Sequence, residues 1–141
     1  MVIQRWQSVL LFLGVVLMAI FCCTPIATYN LDASPDSVSA VYAKDAPVLF
    51  TVALLVAVLL FISIFMYKNL KRQMTVTLLS IMLIVATLVT GFFVIYNAYP
   101  GANFVVFGGL VLLVITLIFA IGAYRFMKSD LRKLRSYDRL R

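Results

Sequence analysis

The sequence contains no histidine, two cysteines, and few charged residues: 12 Lys and Arg against 5 Asp and Glu among 141 residues. Without an imidazole the chain lacks the commonest general base, zinc ligand and haem ligand. The cysteines are adjacent, at Cys22 and Cys23, so they form neither a C-x-x-C redox pair nor a spaced metal site. We therefore predict no cofactor, no metal and no enzymatic activity.

Neighbouring side chains on a helix point about 100° apart, so the two cysteines rarely bridge to each other. We interpret both as small side chains that pack among apolar neighbours. A redox role or an intermolecular disulfide bond is the alternative. The sequence leaves their role open.

Hydrophobic residues make up 65% of the chain and are concentrated in four uncharged runs. A hydrocarbon core about 30 Å thick takes roughly 20 helical residues to cross, and each run has about that length. The runs are residues 7–27, 47–67, 75–96 and 102–124. We predict an all-α polytopic membrane protein, a single membrane domain of four transmembrane helices in an antiparallel bundle, with an outer loop at 28–46 and a helical tail at 125–141.

The aromatic residues agree with these boundaries, because Trp6 and all seven tyrosines lie at or outside the ends of the runs. A cleaved signal peptide at the N-terminus is the minor alternative, since the first run is longer than a typical signal-peptide core.

The basic residues predict the orientation. Eleven of the twelve Lys and Arg lie before the first run, in the connection 68–74 or in the tail, and only Lys44 lies in the outer loop. Cytoplasmic segments carry such an excess. We predict a multi-pass protein of the bacterial inner (cytoplasmic) membrane with both termini in the cytoplasm.

The same residues are candidate contacts for anionic lipid headgroups: Lys68, Lys71, Arg72, Lys128, Arg132, Lys133 and Arg135. In the tail, Met127, Leu131 and Leu134 share one helical face and basic residues occupy the rest, a pattern typical of attachment to a membrane surface. A plain topology anchor is the alternative. Nucleic acid is not an expected partner, because this strip already faces lipid phosphates.

The outer loop offers one structural and one chemical possibility. Asp36 and Ser37 are placed to cap a short helix that runs through Tyr42. Asp32, Asp36 and Asp45 are interpreted as solvated acids rather than a cation site, because calcium loops need denser oxygen ligands and a turn glycine.

Inside the runs the polar groups are hydroxyls, which we interpret as bonded to carbonyls of their own helices: Thr51, Ser63, Ser80, Thr87, Thr90 and Thr116. Small residues four apart indicate faces where helices can approach closely. Gly108 and Gly109 indicate either a close crossing or a flexible first turn.

The two ends of the chain resemble one family. Residues 3–8 match an Ile-Gln-Arg-x-Gln-Ser start, and residues 135–141 match an Arg-Ser-x-Asp-Arg-Leu-Arg close. Both resemble an uncharacterised four-helix inner-membrane family of Bacteroidetes, domain of unknown function 4293. The resemblance implies the inner membrane and four spans but no activity. One departure is the stretch at 129–133, where relatives tend to be acidic.

Both distinctive ends are predicted to lie on the cytoplasmic face, which suggests a cluster there: Gln4, Arg5, Gln7, Asp138, Arg139 and Arg141. Its central hypothesis is an ion pair between Arg5 and Asp138 that closes the bundle or presents a docking surface.

Three functions remain open. The first is a non-catalytic accessory or scaffold subunit of a membrane assembly, with membrane lipids and other membrane subunits as partners. The second is a small transporter or channel, formed as a homo-oligomer and lined by Ser and Thr hydroxyls. The remote third is an enzyme acting on lipid or quinone through Arg5, Asp130 and Asp138.

Overall fold

Four long helices dominate the computed structural model, which describes residues 2–30, 38–98, 103–106 and 108–138. They are α1 (Val2–Cys23), α2 (Pro47–Phe65), α3 (Leu70–Ala98) and α4 (Gly108–Asp138). α1, α3 and α4 each contain a stretch that is long and apolar enough to cross a membrane, and α2 forms most of a fourth such stretch, Pro47–Lys68. The predicted all-α polytopic fold is confirmed.

Helices that follow one another in the sequence also pack against one another. α1 contacts α2 and α4, and α3 contacts the same two helices, so α4 closes the bundle against α1. We name the two ends of this bundle. At the tail end lie the first turns of α1 and α3 and the last turns of α2 and α4. At the sheet end lie the opposite ends of the four helices.

A three-stranded antiparallel sheet forms the sheet end. Its strands are β1 (Pro25–Asn30), β2 (Val38–Tyr42) and β3 (Asn103–Val106), and β1 is the central strand. Thr28 of β1 is opposite Ala40 of β2 on one side and Val106 of β3 on the other. The sheet joins the connection after α1 to the connection before α4.

The sheet corrects two sequence-based boundaries and one predicted element. The first helix ends at Cys23 rather than residue 27, and the fourth begins at Gly108 rather than residue 102. The predicted short helix through Tyr42 is wrong, because Val38–Tyr42 is a strand. The valines and the tyrosine of this segment favour extended backbone, and pairing with β1 satisfies the peptide groups on one side of the strand.

Gly109 allows α4 to begin directly against β1. A Cβ atom at this position would lie 2.7 Å from Cα of Ile26 and 3.0 Å from the carbonyl oxygen of Pro25. Both neighbours are backbone atoms, which cannot move aside as a side chain would. The close-crossing interpretation of this glycine is therefore confirmed.

The outside of the bundle is as apolar as the inside. Only 28–33% of the residues in each apolar stretch are buried. Large hydrophobic side chains such as Met82, Val89 and Phe93 are exposed by 65%, 64% and 68%. A surface of this kind matches hydrocarbon rather than water as its solvent.

We predict that Gly109→Ala lowers the free energy of unfolding by about 1–3 kcal/mol, because its methyl group would overlap the β1 backbone. Gly122→Ala is the matched control on the same helix, since a Cβ there would meet only Leu10 Cδ1 at 3.5 Å. Unfolding of the detergent-solubilised variants by heat or SDS measures both. Equal stability of the two variants would remove the argument for a tight α4–β1 crossing.

Candidate functional site

Polar side chains are buried in the interior of the bundle at its tail end. Gln7 lies near the start of α1, Ser63 in the last turn of α2, and Gln73 and Thr77 in the first turns of α3. Each is at most 2% exposed. Buried amides and hydroxyls far from water need partners, so their contacts decide what this region does.

Ser63, Gln73 and Thr77 form a network that joins α2 to α3. The hydroxyl oxygens of Ser63 and Thr77 are 2.8 Å apart. Gln73 Nε2 donates to the carbonyl oxygen of Ser63 at 3.0 Å, and the Thr77 hydroxyl lies 2.9 Å from the Gln73 carbonyl oxygen. The last four carbonyls of a helix have no partner within it, so the Gln73 amide satisfies one that α2 leaves open.

A second set of polar contacts involves α4. The buried Gln7 amide donates to the Asp130 carboxylate, which connects α1 to α4. Nearly one turn before Asp130, the buried sulfur of Met127 lies 3.9 Å from the Thr77 hydroxyl, which connects α4 to α3. Together the two sets link all four helices at the tail end.

The other five hydroxyls of the predicted set bond to their own helices, as the sequence suggested. Ser80, Thr87 and Thr116 are buried and donate to carbonyls four residues earlier at 2.7–2.9 Å. Thr90 donates to Ala86, also four residues earlier, and Thr51 donates to Val48, three residues earlier. Ser63 differs from these five, because its described partner is a hydroxyl on the next helix.

The predicted cluster at the two chain ends is described only in part. Gln7 meets Asp130, a residue outside the predicted set. The side chains of Gln4, Arg5 and Asp138, and residues Arg139 and Arg141, lie outside the described part of the structure. The Arg5–Asp138 ion pair therefore stays a prediction.

The candidate headgroup contacts share the tail end. Their described side chains are exposed: Lys68, Lys71, Arg72, Lys128, Arg132 and Lys133. The side chain of Arg135 lies outside the described residues. The structure thus places these cations at the level where α2 ends, α3 begins and α4 leaves the bundle.

At the sheet end, Asp45 has a structural contact. Its carboxylate accepts a hydrogen bond from the Tyr42 backbone N–H at 3.1 Å, in a single 3-10 turn at Ala43–Asp45. Asp32 and Asp36 lie outside the described residues. Within the described ranges, no three His, Cys, Asp or Glu side chains are grouped so that they could hold a metal ion. Cys22 is half-buried against the core, Cys23 is exposed, and both are free thiols.

Sequence reasoning missed Gln73 and Thr77. Gln73 lies just before the predicted third span and Thr77 lies inside it, one turn later on the same helical face. Two polar residues one turn apart, near a serine four residues before the end of the preceding apolar run, were the available signal.

The sequence matches the family described as "Domain of unknown function (DUF4293)" over residues 3–140. The chain belongs to this family. The match extends through all four helices and the sheet, and it confirms the resemblance seen at the two chain ends. No curated protein matches this member of the family.

We predict that Ser63→Ala and Thr77→Val are coupled in a double-mutant cycle by about 0.6 kcal/mol, and by no more than about 1.7, the range for hydrogen bonds between membrane helices. Unfolding in detergent measures the four free energies. Thr90→Val is the control, because the Thr90 hydroxyl bonds only within its own helix in the described contacts. Additive effects at positions 63 and 77 would mean that this bond does not join α2 to α3.

Proposed function

We propose that this protein is a non-catalytic integral protein of the bacterial inner membrane, with both termini in the cytoplasm, and that it serves as an accessory or scaffold subunit of a membrane assembly. The observation that carries the proposal is how the interior polar groups are used. Ser63, Gln73, Thr77 and Gln7 bond to neighbouring helices, and Ser80, Thr87 and Thr116 bond to their own. These contacts hold a bundle together.

The orientation is supported by the charges. Eleven of twelve basic residues belong to the tail end or to the segments next to it, and Lys44 belongs to the sheet end. Cytoplasmic segments near span ends carry the excess of Lys and Arg. The tail end is therefore the cytoplasmic end in this proposal.

The end of α4 gives a surface for a partner. Among the side chains of α4 that the structure describes, Met127 is the last that is fully buried, and the eleven residues from 128 to 138 continue for about 16 Å at 1.5 Å per residue. This extension has an apolar side chain, Leu134, that is 56% exposed beside the exposed Lys133. Of the predicted apolar face, Met127 is buried in the bundle and Leu131 is half-buried, so Leu134 is its exposed residue. An exposed leucine among cations suits a protein or membrane surface.

The other two functions have less support. A pore between several copies of the chain would be lined by the outer surfaces of their bundles. The hydroxyls of Ser63, Ser80, Thr87 and Thr116 are instead buried inside the bundle. An enzyme using Asp130 would rely on a half-buried carboxylate that already accepts a structural hydrogen bond from the Gln7 amide.

Extraction in mild detergent followed by native mass determination tests the proposal. We expect a defined complex with other polypeptides that the double variant Lys133→Glu/Leu134→Glu weakens, because both changes lie on the α4 extension and leave the bundle contacts intact. Lys68→Glu is the control for a charge change elsewhere at the same end. A single chain, or a symmetric homo-oligomer unaffected by the α4 change, would contradict the accessory role.

A further inference from the structure

Two adjoining cavities lie along α4 at the tail end. The first, of about 490 Å³, is lined by Tyr124, Arg125, Phe126, Lys128, Ser129 and Arg132. The second, of about 150 Å³, lies between α3 and α4 and is lined by Lys71, Met74, Thr75, Leu78, Tyr124 and Leu131. Tyr124 lines both, so the two cavities adjoin at this side chain, the first along α4 alone and the second between α3 and α4. We call the pair the α3–α4 groove.

Helical spacing explains why the groove is polar on one side and apolar on the other. Arg125, Ser129 and Arg132 are spaced i, i+4 and i+7 and form one stripe of α4. Tyr124, Lys128 and Leu131 form the next stripe, which turns toward α3. The first stripe presents hydrogen-bond donors and positive charge, and the second leads to Met74 and Leu78.

The charges in the groove are of one sign. Arg125, Lys128 and Arg132 on α4 and Lys71 on α3 are all exposed cations. The acid in this stretch of α4, Asp130, lies about 160° around the helix from Lys128, since two residues rotate by about 200°. It accepts its hydrogen bond from Gln7 on α1. Among the residues that the structure describes, an anion in the groove would therefore meet donors without a facing carboxylate.

The groove also lies at a definite depth. It begins at Tyr124, where the apolar run of α4 gives way to Arg125, and tyrosine and arginine at such a position mark the boundary between hydrocarbon and headgroups. Below it, α3 presents exposed apolar side chains, among them Leu78, Leu79 and Met82. A molecule with an anionic head and a long apolar chain fits both parts.

We propose that the α3–α4 groove binds one anionic phospholipid. The phosphate of the headgroup lies among Arg125, Lys128, Ser129 and Arg132, with Lys71 at the other rim. One acyl chain starts in the cavity beside Met74 and Leu131 and continues along the outside of α3. This site differs from a diffuse attraction to the membrane surface, which depends on total charge and not on which cations provide it.

Native mass spectrometry of the purified full-length protein tests the site, with phosphatidylglycerol and phosphatidylcholine offered at equal concentration. We expect one phosphatidylglycerol to be retained per chain in preference to phosphatidylcholine. Lys128→Gln/Arg132→Gln should weaken that binding at least about tenfold, as expected when two charge-assisted hydrogen bonds are lost. Lys68→Gln/Lys133→Gln removes the same charge outside the groove and should leave the affinity within about twofold.

Two further measurements separate the lipid from its headgroup alone. Thr75→Phe fills the apolar cavity without changing charge, and it should reduce retention of phosphatidylglycerol. Glycerol phosphate should compete poorly, because it has no acyl chain. Equal losses in the two charge variants, equal retention of both lipids, an unaffected Thr75→Phe variant or efficient competition by glycerol phosphate would each overturn the proposal.

Discussion

Lipid tails are as apolar as the side chains that cover this bundle, so the hydrophobic effect does not hold the four helices together once they are in the membrane. Van der Waals packing and polar contacts must do so instead. In hydrocarbon an unpaired amide or carbonyl costs several kcal/mol, which makes each buried polar group a strong constraint on its neighbours. The positions of Gln7, Ser63, Gln73 and Thr77 follow from this constraint.

The two ends of the bundle meet the constraint in different ways. At the sheet end, backbone groups pair with one another in β1, β2 and β3, and Gly109 lets α4 begin against that sheet. At the tail end, side chains make the connections, and the Gln73 amide bonds to a carbonyl in the last turn of α2. In its described part the sheet end carries two charged side chains, Lys44 and Asp45, whereas the tail end has the amides, hydroxyls and cations through which the protein can meet a partner or a headgroup.

The sequence was sufficient for the four helices, because hydropathy over about 20 residues and the absence of charge depend on nothing distant in the chain. It was insufficient for the sheet. Val38, Val41 and Tyr42 are spaced as on a helical face, but their segment becomes a strand by pairing with β1. The third strand, β3, belongs to a connection more than sixty residues later in the chain. The sequence also did not predict which face of each helix lies inside the bundle, because an exterior as apolar as the interior gives no amphipathic signal. Thus the contact of Ser63 with Thr77, and that of Gln7 with Asp130, needed the structure.

Reaction of single cysteines with a membrane-impermeant maleimide tests the central claim, that hydrocarbon is the solvent of the exposed apolar faces. The background is Cys22→Ala/Cys23→Ala, and the positions are Phe93→Cys, Ser39→Cys and Lys71→Cys. Phe93 is 68% exposed in the isolated chain, yet we expect no reaction there in spheroplasts or lysed cells, because a thiolate does not form in hydrocarbon. Ser39→Cys should react in spheroplasts and Lys71→Cys only after lysis. Reaction at Phe93→Cys as fast as at Lys71→Cys in lysed cells would contradict the account.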